Sequence, residues 1–122
     1  MNTKTILACD DEPFILETIS YIVNKEAFNL ITADNGIEAI DLARKHMPEL
    51  ILLDVNMPGL TGFEVCKALK SDETTRNILI AMLTANVQAD HITQANDVGA
   101  DYFIPKPFSP RELKNKLHEI LD

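Results

Sequence analysis

The sequence has no tryptophan, only two cysteines and four glycines, and fewer basic than acidic side chains, 11 against 19. Each shortage excludes something. Cys9 and Cys66 stand far apart without metal-type spacing, so they read as small apolar side chains in a reducing compartment rather than as a disulfide framework or zinc site. A formal charge of -8 argues against sequence-independent nucleic-acid binding, which needs a basic footprint, and favours a basic or metal-mediated partner surface. With four glycines, no phosphate-cradling glycine loop follows a strand, which counts against a flavin site. The longest apolar run, Ile78 to Leu83, is far too short to span a bilayer, and no basic leader precedes an apolar stretch. The expectation is a cytoplasmic protein without membrane association.

What is present suits one folded unit. A hydrophobic share of 46% over 122 residues is enough for a sizeable core, so one domain over residues 1–122 is expected, with no output domain in view. Strand-like apolar runs alternate with amphipathic helical stretches five times, a (βα)5 rhythm. The strands fall near Thr3 to Cys9, Asn29 to Ala33, Leu50 to Asp54, Ile78 to Thr84 and Tyr102 to Ile104. Helix starts are signposted by Pro13, by Asn35 with Glu38, by Thr61 with Glu64, and by Ser109-Pro110 with Glu112. Short connections imply an α/β doubly wound fold, a parallel sheet covered by helices on both faces.

In such a sheet ligands bind outside the carboxyl ends of the strands. Asp10 and Asp11, Asp54, Thr84 and Lys106 each follow an apolar run directly, so one architecture collects them at one edge. Clustered carboxylates raise each other's pKa unless a hard cation or a lysine compensates. Mg²⁺ fits, because it takes a few carboxylates, a carbonyl and a phosphate oxygen. With Mg²⁺ and Lys106 neutralising a phosphoryl group, an aspartate can act as nucleophile and become an aspartyl phosphate. Taken singly, the acidic run could merely favour a helix N-terminus and the others could be strand-end or solvated groups. Five of them at ordered strand ends outweigh those readings. His46, His91 and His118 show no metal-type spacing and none suggests a catalytic base.

At these residues the chain resembles the receiver domains of two-component response regulators, the CheY-like superfamily, from Lys4 to Leu121. The resemblance rests on Asp10-Asp11-Glu12-Pro13, Asp54-Val55-Asn56-Met57-Pro58-Gly59 with Gly62, Thr84-Ala85, Gly99-Ala100-Asp101 and Lys106-Pro107-Phe108. It implies a flavodoxin-like sheet of order 2-1-3-4-5, and Asp54 as phosphoacceptor. It implies Mg²⁺ (with Mn²⁺ able to substitute) on Asp11, Asp54 and the backbone carbonyl of Asn56, with Asp10 reaching it through water. Thr84 and Lys106 would bind the phosphoryl group, and the Lys106-Pro107 bond would be cis. Asn56 and Asn86 would line the path of the attacking water and set the phosphoryl lifetime. The partners implied are a sensor histidine kinase or histidine phosphotransfer protein upstream, and a protein target or output domain downstream. Such a domain is not an enzyme on external substrates and makes no direct nucleic-acid contact.

The resemblance also implies a switch. A phosphoryl contact at Thr84 would move the loop after the fourth strand and change the burial of Phe103, where family members often carry tyrosine. The output face would be the fourth helix, fifth strand and fifth helix, which family members use for dimers or targets. Tyr102 points the other way by period-2 alternation and reads as a surface or flank residue. The fourth helix, between Gln88 and Val98, has few apolar anchors, chiefly Ala89, Ile92, Ala95 and Val98. On the first helix Ile15, Leu16, Ile19, Ile22 and Val23 turn to the core, leaving Phe14, Thr18 and Tyr21 outward, where they read equally as part of a docking surface for the phosphodonor or as ordinary exposed side chains.

Two other functions are weighed. An aspartyl-phosphate hydrolase would be expected to carry a second acid two residues after the nucleophile, and the amide of Asn56 there cannot act as acid or base. A phosphorylation-independent interaction module would usually have lost one of the five residues, and all five are present.

Overall fold

Why the chain folds as it does follows from two periodicities. In the computed structural model, which describes residues 3–85 and 89–122, runs of branched apolar residues form strands and the stretches between them form helices. In chain order these are β1 (Thr5–Cys9), α1 (Pro13–Lys25), β2 (Asn29–Ala33), α2 (Gly36–His46), β3 (Leu50–Asp54), α3 (Gly62–Lys70), β4 (Leu79–Thr84), α4 (Ala89–Asp97), β5 (Tyr102–Pro105) and α5 (Pro110–Leu121). All strand pairings are parallel and the order is β2-β1-β3-β4-β5, as the resemblance implies. β3 lies at the centre and every one of its residues is buried, which explains its uninterrupted apolar sequence.

Alternation along the strands builds two cores. Ile6, Ala8, Leu50, Leu52, Ala81 and Leu83 pack with Ile19, Ile22 and Val23 of α1 and Leu113, Leu117 and Leu121 of α5. Leu7, Cys9, Ile51, Leu53, Ile80 and Met82 face the other way, onto Ala39 and Ala43 of α2, Val65, Cys66 and Leu69 of α3, and Ala95 of α4. Each fully buried Leu or Ile contributes about 1.5–3 kcal/mol of transfer free energy. Both cysteines are buried, and burial pushes their thiols up, Cys9 to about 12 and Cys66 to about 11, so neither is a reactive thiolate.

The caps act where the sequence places them. Asn35 accepts the Glu38 amide at 2.9 Å, and both halves of a capping box form at Thr61 with Glu64 and at Ser109 with Glu112. Pro13 opens α1 at its first turn. Gly99, at φ +88°, ends α4 in a left-handed residue, and Ala100 donates back to the Ala95 carbonyl at 3.0 Å.

Two expectations need adjustment. Of the α4 anchors, Ala95 is buried and Val98 packs on the core, but Ile92 is 41% exposed; the side chain of Ala89 and all of Gln88 lie outside the described residues. α4 therefore buries even less than its sequence suggests. Tyr102 does face away from Phe103, yet it is half-buried against the α1/α5 core, with the Lys116 ammonium 5.9 Å from its ring centroid.

Candidate functional site

Parallel strands deliver their carboxyl ends to one edge, and the site is assembled there. Asp10 follows β1, Asp54 ends β3, Thr84 ends β4 and Lys106 follows β5. Register places Asp54 beside Leu83 and Thr84 beside Pro105, and the Lys106 amide donates to the Thr84 carbonyl at 2.7 Å. Gly62 lets α3 begin against this edge: a Cβ there would stand 2.2 Å from the Asp54 carbonyl oxygen, so no larger residue fits without moving the strand end. The Gly62 amide uses that closeness to donate to Val55 at 2.9 Å.

Lys106 organises the charges. Its ammonium, on a side chain only 10% exposed, lies 2.8 Å from Asp10 Oδ2, 3.2 Å from Asp54 Oδ1 and 3.6 Å from Glu12 Oε1. The Lys106-Pro107 bond is cis. Asp10 is fully buried, and its Oδ1 accepts the Glu12 amide at 2.9 Å. Asp54 is also buried, and Lys106 and the Asn56 amide, the latter at 3.4 Å, both meet its Oδ1.

Burial first, and the Asp10 charge second, push the Asp54 carboxyl up to about 6, against the pull of Lys106 and the Asn56 amide. Burial by itself would depress the Lys106 ammonium, but the hydrogen bonds and charges of Asp10 and Asp54 outweigh it and hold the lysine above its ordinary value.

Carboxylate oxygens of Asp10, Asp11, Glu12 and Asp54 all come within 4.8 Å of one another. One ammonium against four carboxylates leaves excess negative charge on hard oxygen donors, and two of the four are exposed to solvent. That donor set fits Mg²⁺, which keeps several waters, better than a soft transition metal. Glu12 is the addition to the expected set. Its signal was the acidic run itself, but sequence alone gives no reason to separate it from an ordinary helix-leading acid.

The other named residues fall as follows. Thr84 is buried at 1% exposure beside the site. Phe103 is half-buried on the far side of β4 and borders two cavities of about 160 and 120 Å³. Asn86 lies outside the described residues. Phe14 is 74% and Tyr21 58% exposed, and the Thr18 hydroxyl donates to the Phe14 carbonyl at 3.0 Å, so the α1 stripe faces outward next to the acidic edge. His118 is not an isolated polar residue: its ring lies 2.6 Å from Glu26 and 2.7 Å from Asp122 and leans on Phe28.

A doubly wound sheet with this acidic edge defines a class, and comparison agrees with it: the family model for the response regulator receiver domain matches residues 6–118, and the chain belongs to that family. Receiver domains are signalling domains that take part in phosphorelays, and the family generally binds Mg²⁺ at an acidic pocket. Among particular proteins, the chain is 43% identical over 118 residues to the phosphate regulon transcriptional regulatory protein PhoB of Pseudomonas aeruginosa, covering 97% of this chain and 52% of that one. It is 40% identical over 118 residues to the alkaline phosphatase synthesis transcriptional regulatory protein PhoP of Bacillus subtilis, covering 97% of this chain and 48% of that one. The chain thus spans about half the length of these curated relatives. Among solved structures, the chemotaxis response regulator CheY4 of Vibrio cholerae superposes with a TM-score of 0.93 at 32% identity, over 98% of this chain and all of that one. Among the described residues no helix is long and apolar enough to cross a membrane.

Proposed function

We propose that this chain accepts a phosphoryl group onto Asp54 from a phosphohistidine, carried by a sensor histidine kinase or a histidine phosphotransfer protein. The observation that carries the reading is the Lys106 ammonium bridging Asp10 and Asp54 at the buried end of the central strand. An Asp54 carboxylate oxygen attacks phosphorus, the P–N bond breaks, and its electron pair returns to the departing imidazole. Lys106 balances charge on the phosphoryl oxygens, and Thr84 donates its hydroxyl to one of them.

Asp11, Asp54 and the Asn56 carbonyl would hold Mg²⁺, or Mn²⁺ in its place, with Asp10 engaged through water and Glu12 at the rim. When bound, the cation supplies positive charge to the transferring group and lowers the repulsion among the carboxylates. Asn56 and Asn86 tune how long the phosphoryl group lasts. The chain turns over no external substrate.

Phosphorylation shifts the α4-β5-α5 face through Thr84 and Phe103. The support is packing: Phe103 has cavities on two sides, and α4 is lightly anchored. We read residues 1–122 as one receiver unit of the cytoplasm, acting on a protein target or an output domain and making no nucleic-acid contact of its own. Activation pairs two copies through that face.

The test is intact mass after incubation with Mg²⁺ and acetyl phosphate, beside Asp54→Asn and a chelator control. One phosphoryl group gained by the wild type and by neither control supports the proposal. No adduct, together with an amide NMR spectrum unmoved by Mg²⁺ and beryllofluoride, overturns it in favour of a phosphorylation-independent interaction module.

A further inference from the structure

The sheet has two edges, and the chain guards them unequally. β5 is bounded by charge and by proline, with Asp101 before it, Pro105 as its last residue and Lys106-Pro107 after it. β2 has neither guard: Asn29-Leu30-Ile31-Thr32-Ala33 is uncharged and free of proline, runs without a bulge, and pairs only with β1 among the described residues. Asn29 donates to the Lys4 carbonyl at 2.9 Å and Ala33 accepts the Asp10 amide at 3.2 Å, so these two turn their polar backbone groups inward. Alternation then turns the amides and carbonyls of Leu30 and Thr32 outward, along an edge where Asn29 and Thr32 are exposed and Leu30 and Ile31 half-buried.

The helices flanking β2 carry matching surface. On α1, Tyr21, Ile22 and Lys25 line the groove toward α5. Helical spacing places Leu16, Ser20 and Asn24 on the other flank, toward β2 and without charge. On α2, Arg44 pairs at 3.4 Å with Asp72, just after α3, and Gly36 lies against Val65 and Leu60, which fixes the flank toward α3. The opposite flank, toward β2, therefore holds Glu38, Leu42 and Lys45. Glu38 and Lys45 are exposed, about two turns apart, and neither enters an ion pair among the described residues.

We propose that two copies of this chain join edge to edge along β2 in antiparallel register, forming one continuous sheet with a two-fold axis through Ile31. The strand is self-complementary in that register. Leu30 faces Thr32 of the other copy, Ile31 meets its own counterpart, and the outward amides and carbonyls of Leu30 and Thr32 find partners without any change of backbone. The same axis sets each α2 antiparallel to that of the other copy. The 5 residues of β2 and the 11 of α2 span nearly equal lengths, so the axis passes close to Leu42 and brings Glu38 of each copy against Lys45 of the other. On the opposite face α1 presents only uncharged side chains to its counterpart. A foreign strand could take up the backbone bonds, but a second copy also answers both charges at once. The contact lies at the far edge of the sheet from β5 and uses no residue of the acidic site.

The test is sedimentation equilibrium of the unphosphorylated protein from micromolar to millimolar concentration, so that the pairing proposed for activation does not contribute. The wild type is compared with Glu38→Lys, with Lys45→Glu and with the double variant carrying both. Circular dichroism and acetyl phosphate labelling check the fold and the site of each. The expected result is a concentration-dependent dimer whose dissociation constant rises about tenfold for either single reversal and returns toward the wild-type value in the double variant, where the two copies again present opposite charges. Added salt should weaken the wild-type dimer. Amide hydrogen exchange gives a second reading: the Leu30 and Thr32 amides should slow as concentration rises. A wild type that stays monomeric up to millimolar concentration overturns the proposal. Dimers that both single reversals leave intact, or a double variant as weak as the single ones, overturn it as well. Leu30 and Thr32 amides whose exchange ignores concentration would place any pairing on another face and have the same effect.

Discussion

Lys70 Nζ and Asp101 Oδ2 lie 2.8 Å apart, an ion pair that ties the end of α3 to the start of β5. The ammonium also donates to the carbonyls of Arg76 at 3.1 Å and Ile78 at 2.7 Å, while the same carboxylate oxygen accepts the Ile80 amide at 2.9 Å. Two partly buried charges thus satisfy one another and three backbone groups that β4 and its approach would otherwise leave open.

Asp101→Ala should therefore cost about 1–2 kcal/mol, because it leaves the Ile80 amide without its acceptor and takes from the Lys70 ammonium its one charged partner, the Arg76 and Ile78 carbonyls remaining. Lys70→Met, which keeps the stem over Gly99 and removes the charge, should cost less. Urea denaturation of both variants checks this, and a loss below about 0.5 kcal/mol for Asp101→Ala would show that the clamp carries no weight.

Gly62→Ala tests the close approach of α3 to the site. With a Cβ 2.2 Å from the Asp54 carbonyl oxygen, the helix start or the strand end must move. Destabilisation of about 3 kcal/mol is expected, accompanied by weaker Mg²⁺ binding in a fluorescence or NMR titration. A variant as stable as the wild type would mean that the two backbones are not held this close.

The raised Asp54 carboxyl predicts a pH effect with a definite sign. Its folded value of about 6 lies above the ordinary 3.8, so the folded chain binds this proton more tightly than the unfolded chain does. The associated stability is full below about pH 4 and is lost as pH rises through about 6. In metal-free buffer, Asp54→Asn should thus gain on the wild type by about 2–3 kcal/mol between pH 4 and 7. Mg²⁺ should shrink that gain by binding the wild type more tightly. Parallel melts of both proteins across this range, with and without Mg²⁺, decide it.

His118 predicts the opposite kind of titration. Hydrogen bonds donated to Glu26 and then to Asp122 hold its imidazolium above the ordinary 6.5. Its contribution is present in full below that value and disappears as pH rises through the raised one. The Tm advantage of the wild type over His118→Gln should therefore narrow from pH 6 to pH 9. An advantage independent of pH would assign His118 to packing on Phe28 instead.

Local signals read well in this chain, and distant ones did not. The fully buried β3 was legible as Leu50-Ile51-Leu52-Leu53, and the caps at Thr61 and Ser109 as their capping-box partners. The convergence of Asp10, Asp54, Thr84 and Lys106 followed from parallel strands alone, because strand ends need no loop prediction. By contrast, Glu26 and His118 stand 92 residues apart, and no spacing rule connects them. The β2 margin likewise needs α1 and α2 in place before Ser20 and Leu42 can flank one strand. Ile92 misled for a simpler reason: it keeps helical spacing with Ala95, but between it and the β5 edge lies a cavity of about 120 Å³ rather than a close-packed neighbour, leaving it 41% exposed.

The fastenings of the sheet are unevenly distributed. At the strand beginnings, Glu49 accepts the Thr5 amide at 2.8 Å, Lys4 donates to the Leu121 carbonyl, and the Lys70 clamp grips β4 and β5. At the strand endings, beside the backbone bonds from Val55 to Leu83 and from Lys106 to Thr84, the Lys106 ammonium adds a tie that holds by charge. A strip nailed along one margin and laced along the other lifts only at the lacing. On the function proposed above, an event at Asp54 that loosens Lys106 would be felt first along the laced margin, where β3, β4 and β5 end, and last along the nailed one.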